Sequence, residues 1–215
     1  SINANASCSA TGVALGTPVT SDNCSVASVT NNAPATFPIG TTTVTWTVTD
    51  AAGNSTTANQ LVTVSDNTNP TISAPASLTV AANTSCTAFN VGLGTPITAD
   101  NCSVSSVTNN APAVFPLGTT TVNWTVTDAS GNTATATQTV TVTDQGNPTL
   151  VAPANIVIPA GANCTVTTSS IGSAFASDNC TIGIVTNNAP ATFPIGTTTV
   201  TWSVTDGAGN TATAT

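Results

Sequence analysis

One interval, 78 residues, governs this chain. Trp46, Trp124 and Trp202 stand that far apart, and so do Cys8, Cys86 and Cys164, then Cys24, Cys102 and Cys180. Asp22, Asp100 and Asp178 keep the step, as do Asp50, Asp128 and Asp206, and the pair Asp66 and Asp144. No insertion breaks the register. Self-similarity of this length is too long for a solenoid rung and suits a small autonomous β domain. The phase is offset: Ser1 corresponds to Thr79 and Thr215 to Thr137. The reading is three domains: 1–66 without its first strand, 67–144 complete, and 145–215 without most of its last strand. A cut strand leaves a sheet edge unpaired. The phase therefore implies a window on a longer array, or a strand supplied by a neighbouring chain.

The most closely copied stretch reads VTNNAPATFPIGTTTVTWTVTDAAGN (Val29–Asn54), VTNNAPAVFPLGTTTVNWTVTDASGN (Val107–Asn132) and VTNNAPATFPIGTTTVTWSVTDGAGN (Val185–Asn210). In Thr119–Asp128 the residues Val122, Trp124 and Val126 fall on one face and Thr121, Asn123, Thr125 and Thr127 on the other. Period two with β-branched residues predicts a strand whose apolar face is the core face. Trp46, Trp124 and Trp202 are therefore core residues, each set between inward valines. Ala129-Ser130-Gly131-Asn132 reads as a hairpin turn and Thr133–Thr143 as the returning strand, with Val140 and Val142 inward. Earlier in the repeat, Thr71–Ala74, Ser77–Ala81, Cys86–Val91, Ser103–Thr108 and Ala113–Phe115 read as shorter strands, and Thr98–Cys102 (TADNC) as a loop. Helical periodicity is absent. The expected fold is all-β, with tandem immunoglobulin-like sandwiches of about seven antiparallel strands.

Composition excludes several functions. The chain has no Lys, Arg or His, and its eight acids, all Asp, give a formal charge of −8. Nucleic-acid binding lacks the cations it needs, and an anionic membrane surface would repel the chain. Hydrophobic residues make up 40 %, enough for a core, yet no run approaches the ~18–20 residues of a spanning helix. Insertion into a membrane is not expected. Trypsin-like proteases find no site, which suits an exposed extracellular location.

The DNC loop, the FPxGTTTVxW strand, the TDxxGN turn and the closing VTVxD…NP together resemble the hyalin repeat (HYR) family across essentially the whole chain. The resemblance implies immunoglobulin-like domains in tandem, extracellular, associated with adhesion, and common in very large bacterial surface proteins. Many members carry four cysteines per repeat. Here Ala74-Pro75 and Thr133–Thr137 stand where two of them would be, as though one disulfide were lost and the pair that remains formed the other. The implied pairing is Cys8–Cys24, Cys86–Cys102 and Cys164–Cys180, in an oxidising compartment. Because Cys86 starts a strand and Cys102 follows the loop at its far end, a link between domains such as Cys86–Cys180 stays open. With no His and two thiols per repeat, zinc is not expected.

In an immunoglobulin-like sandwich the loop after strand B and the F–G turn lie where the chain enters. The preceding linker arrives there too. That gathers Asp66, Asn67 and Asn69 with Asp100 and Asp128, and at the second junction Asp144 and Asn147 with Asp178 and Asp206. Carboxylates without cations repel, and Ca²⁺, which takes 6–8 oxygen ligands, would resolve this. The linker resembles the Asp/Asn-rich, Pro-ended calcium linkers of cadherins. The competing reading is that these residues only shape turns and caps. A catalytic site is not expected: a Cys without a base is not activated, and the aspartates recur identically in turns without polar partners. Thr43, Thr45, Thr47 and Thr49 read as a solvated strand face or a glycan-bearing one, and Asn54-Ser55-Thr56 and Asn83-Thr84-Ser85 match the N-glycan triplet.

The expected role is a stalk or filament segment of a long extracellular surface protein, an adhesin, whose partners are neighbouring repeats and other copies in a filament. The alternatives are repeats that themselves bind carbohydrate or protein, or that polymerise by strand exchange. Near-identity of the repeats and the lack of Tyr and Arg anchors favour the first.

Overall fold

The computed structural model describes residues 1–167 and 171–215. Every regular element among them is a β-strand, and no described helix is long and apolar enough to cross a membrane. The chain divides into two compact units. Unit one comprises Ser1–Pro75, Thr95–Asn110 and Asn123–Thr137; unit two comprises Ala76–Gly94, Ala111–Val122 and Gln138–Thr215. The division runs through repeat two, so each unit contains one joint between consecutive repeats.

The core of each sandwich comes from the alternation in the sequence. In repeat one the long strands Gly40–Asp50 and Ser55–Ser65 pair antiparallel from Gly40↔Val64 to Thr49↔Ser55. Val26–Asn31 flanks one side with a bulge between Val26 and Ser28, and Ile2–Asn3 flanks the other in parallel. A second, smaller layer pairs Ser9–Thr11 with Thr36–Pro38. Ala10 and Phe37 from that layer pack with Val44, Val62 and Val64 from the main sheet. Burying such side chains contributes about 1.5–3 kcal/mol each, which sets the register, because a slip by one residue would turn every valine to water.

Repeat two repeats this plan in the order Val104–Asn109, Gly118–Asp128, Thr133–Thr143, Leu78–Ala81, with the same bulge, here between Val104 and Ser106. Val122, Trp124, Val126, Val140 and Val142 are all buried, as the alternation predicts. Thr98 and Ala99, which the sequence places in the loop Thr98–Cys102, instead belong to a short strand, Ile97–Ala99, paired with Thr71–Ser73. In repeat three only Trp202–Thr205 is a strand where its copies run for eleven residues. Just before it, Thr201 is held by Asn188, whose side-chain oxygen accepts from the Thr201 N–H at 2.7 Å and whose own N–H donates to the Thr201 carbonyl at 3.1 Å.

Two inward-facing glutamines, Gln60 half-buried and Gln138 buried, tie the sheets to loop carbonyls. Trp46 is half-buried, and its indole Nε1 donates to Gln60 Oε1 at 2.9 Å, while Gln60 Nε2 donates to the Leu15 carbonyl at 3.0 Å. Gln138, 1 % exposed, donates to the carbonyls of Ala76 and Leu93, each at 2.9 Å. A buried amide is tolerated because it satisfies carbonyls the sheet leaves unpaired.

Candidate functional site: an acidic cluster beside an inter-repeat disulfide

Two loops of each repeat form a receiving face. The TDxxGN hairpin is clamped by its own aspartate. Asp128 Oδ1 accepts from the N–H groups of Ser130 (2.9 Å) and Asn132 (2.8 Å), and Oδ2 accepts from Asn132 Nδ2 at 2.7 Å. Gly131 sits at φ 92°, a conformation a side chain would strain. Asp50 and Asp206 make the same clamp. For Asp50 the Asn54 amide is the main force lowering its pKa below the usual carboxylate range. For Asp128 and Asp206 burial pushes the other way most strongly. Even so, the hydrogen bonds from Asn132 and Asn210 and from the turn's backbone outweigh it, and the pKa is again lowered.

The DNC loop lies alongside, tied to the hairpin by Ala129 N–H donating to the Ser103 carbonyl at 3.0 Å. Asp100 Oδ2 shapes it, accepting from the N–H groups of Cys102 (2.8 Å) and Ser103 (3.0 Å). Asp22 and Asp178 do the same for their cysteines, both at 2.8 Å.

In unit one this face receives the end of repeat one. Asn101 Nδ2 donates to Asp66 Oδ1 at 3.1 Å and to the Asn5 carbonyl at 3.3 Å, and Asn132 Nδ2 donates to the Asp66 carbonyl at 3.1 Å. Unit two repeats these contacts. Asn179 Nδ2 reaches Asp144 Oδ1 and the Asn83 carbonyl, each at 3.2 Å, and Asn210 Nδ2 reaches the Asp144 carbonyl at 3.5 Å. The bridging asparagines were not singled out in the sequence, although they are the Asn of each quoted DNC and TDxxGN motif.

The cysteines overturn the leading pairing and take the link between domains that the sequence left open. Cys8–Cys24, Cys86–Cys102 and Cys164–Cys180 do not form. Cys8 bonds Cys102 and Cys86 bonds Cys180, with Cα–Cα separations of 4.6 and 4.7 Å, and Cys24 and Cys164 are free and exposed. The reason is directional. Cys86 belongs to unit two and Cys102 to unit one, with the strands Thr87–Phe89 and Ile97–Ala99 between them in sequence. Each finds its partner in its own unit, in the neighbouring repeat. Cys8 and Cys86 occupy a tight turn at φ 56° and 59°, closed by their N–H groups donating to the carbonyls of Asn5 and Asn83.

The structure brings together some of the candidate metal ligands. Ligand atoms of Asp66, Asp100 and Cys102 lie within 4.8 Å of one another, and so do those of Asp144, Asp178 and Asp206. The Cys102 sulfur is already in a disulfide. Asp128 spends both oxygens on its turn. Asn67 is exposed and donates to Asn3 Oδ1 at 2.7 Å, and Asn69 and Asn147 are exposed. Within the clusters Asp206, like Asp128, spends both oxygens on its turn, and the other four carboxylates divide their labour. One oxygen accepts local hydrogen bonds, while Asp66 Oδ2, Asp100 Oδ1, Asp144 Oδ2 and Asp178 Oδ1 are buried with no partner, as is Asn101 Oδ1. Asp66 is 5 % exposed and Asp144 9 %. A buried anionic oxygen without a donor is costly. A chain with no Lys, Arg or His supplies no cationic side chain to meet it. Hard oxygens converging in this way fit an oxygen-seeking divalent cation of the Ca²⁺ type, with water completing the shell.

A model described as the HYR domain matches residues 4–64, 65–142 and 143–215. Hyalin of Lytechinus variegatus is 32 % identical over 215 residues, covering 92 % of this chain and 40 % of hyalin. Hyalin of Strongylocentrotus purpuratus is 32 % identical over 104 residues, 46 % of this chain and 9 % of that protein. The chain thus spans well under half the length of these relatives. Among solved structures, the protocadherin GammaB4 extracellular domain has a TM-score of 0.37 at 14 % identity, covering 90 % of this chain and 41 % of that one. Human CDH23 EC21-23 has a TM-score of 0.37 at 12 % identity, covering 81 % and 73 %.

Proposed function

The chain belongs to the HYR domain family, and we propose that this extracellular, adhesion-related repeat segment is a load-bearing spacer. The family is not one of enzymes. The observation that carries the proposal is the overlap of the two disulfides. From Cys8 a covalent path steps to Cys102, runs back sixteen residues to Cys86, and steps on to Cys180. Under tension only the Cys86–Cys102 segment of repeat two lies on the shortest path. Sixteen residues extend to about 55 Å, against about 270 Å for a whole 78-residue repeat. The main sheet of repeat two lies off that path and is shielded from unravelling, as a spacer that holds a fixed reach requires. Its immediate partners are the neighbouring repeats, with other copies of the chain as a further class. Single-molecule stretching tests this. Oxidised protein should give short extensions, and added reductant should release the full repeat length. Equal extension in both states would end the load-bearing account.

The second part of the proposal is Ca²⁺ at each joint, in the clusters headed by Asp66 and Asp144. The orphaned carboxylate oxygens support it. Melting with Ca²⁺ and again with EGTA checks it: chelation should lower the Tm, and an unchanged Tm would remove the ion from the account.

A further inference from the structure

The receiving face that repeats two and three use is also displayed by repeat one. Asp22 Oδ2 accepts from the N–H groups of Cys24 (2.8 Å) and Ser25 (3.0 Å), the same two bonds, at the same lengths, that Asp100 makes to Cys102 and Ser103. Asp50 and Asn54 form the same clamp as Asp128 and Asn132. Between the two loops lies an open hollow of about 450 Å³, lined by Asp22, Asn23, Cys24, Asp50 and Asn54 among others. Each of these five has a counterpart in unit one. There Asn101 and Asn132 grip Asp66, Asn101 reaches the Asn5 carbonyl, and Cys102 bonds Cys8.

The complementary element is displayed by repeat three. Cys164 is exposed at φ 57°, and its N–H donates to the Gly161 carbonyl at 3.0 Å, as Cys8 and Cys86 do to Asn5 and Asn83. Gly161 replaces the asparagine of the other two turns, but the group that Asn101 and Asn179 reach is a backbone carbonyl, and glycine keeps it. Each formed bond joins the turn cysteine of one repeat to the DNC cysteine of the next, and Cys164 and Cys24 are the turn cysteine and the DNC cysteine left unpaired.

We propose that the Asp22–Cys24 and Asp50–Asn54 face is a docking site for the cysteine turn of another repeat of this kind, and that Cys24 and Cys164 are the two reactive ends of a disulfide ladder that runs from repeat to repeat. This does not depend on the load-bearing role. The bond forms when the two thiols lose two protons and two electrons to a small-molecule disulfide, which leaves as two thiols. Docking comes first: Asn23 grips the incoming turn through its carbonyl, as Asn101 does, and sets the sulfurs at bonding distance.

The test uses the whole chain, with a second copy as the partner, in a glutathione redox buffer. Cys24→Ser leaves only Cys164 free, and Cys164→Ser leaves only Cys24 free. Neither variant alone should oligomerise, while their mixture should give one reducible dimer. Cleavage before aspartate places all six cysteines on different peptides, so the new bond should join Asp22–Thr49 to Asp144–Ser177. Asn23→Ala in the Cys164→Ser partner should slow dimer formation about tenfold, because a docking hydrogen bond is lost. Equal dimerisation of either variant alone, no dimer in the mixture, or indifference to Asn23→Ala would each overturn the proposal.

Discussion

Asp50 and Asp128 occupy the same place in the same TDxxGN turn, and their surroundings differ. Asp128 is 2 % exposed, whereas Asp50 is only half-buried. Each pKa is lowered by turn hydrogen bonds, yet burial is the largest single influence on Asp128, while on Asp50 it ranks behind the two hydrogen bonds from Asn54. The neighbouring loop tells the same story. Asp100 keeps a buried oxygen without a partner, and no such atom is found on Asp22 among the described residues. One fold with one set of side chains thus gives a solvated acidic surface on repeat one and a buried acidic cluster on repeat two. The difference is the arriving end of the previous repeat, with Asp66 and Cys8. Charge burial here belongs to the joint, not to the domain, and the same joint supplies both the disulfide and the oxygens that fit a cation.

The largest way to break this comparison is to cut the staple. Replacing both Cys8 and Cys102 by serine opens a loop of 94 residues, which the chain-entropy model values at roughly 4–5 kcal/mol. Cys24→Ser on the solvated face should change stability by no more than about 0.5 kcal/mol. Urea midpoints should separate the two, and similar losses would erase the distinction between the faces.

Cation removal comes next. Ca²⁺ at a hundred times its Kd adds about 2.7 kcal/mol per site, so the Ca²⁺-loaded chain should melt higher than the chelated one. Asp100→Asn then sharpens the assignment through its sign. In chelator it should stabilise by about 1 kcal/mol, since it removes one of two crowded anions, and in Ca²⁺ it should destabilise. Asp22→Asn should be near neutral in both buffers. A loss of equal size for Asp100→Asn in both would mean that the carboxylate only shapes its loop.

The smallest effect is the pH profile. Asp50, Asp128 and Asp206 have folded pKa values below the unfolded one of about 3.9. Their contribution is therefore complete above that pH and is lost as pH falls through the folded values. The Tm should hold from pH 7 to 5 and drop below about pH 4. Asp128→Asn should flatten part of that drop, and a Tm rising on acidification would run against the clamp.

The sandwich was legible because its signals are local. Val122, Trp124 and Val126 alternate with threonines, and TDxxGN carries its own clamp. The meeting of Asp66 with Asp100 followed from chain direction alone. Cysteine pairing was legible only in part: two cysteines sixteen residues apart look like neighbours in sequence, and the strand expected to start at Cys86 kept Cys86–Cys180 open without deciding it. Gln138 and Asn101 escaped notice for a related reason. An amide becomes informative only when the carbonyls it must satisfy are known, and those come from distant segments. The short strand Ile97–Ala99 has too few residues to show a period.

Calorimetric titration of Ca²⁺ into the oxidised, metal-stripped chain tests the central claim most directly. The account predicts two sites per chain, one per joint, with one lost in Asp100→Asn and the other in Asp178→Asn, and no change in Asp22→Asn. Absence of binding, or three equivalent sites that include the solvated face of repeat one, would contradict it.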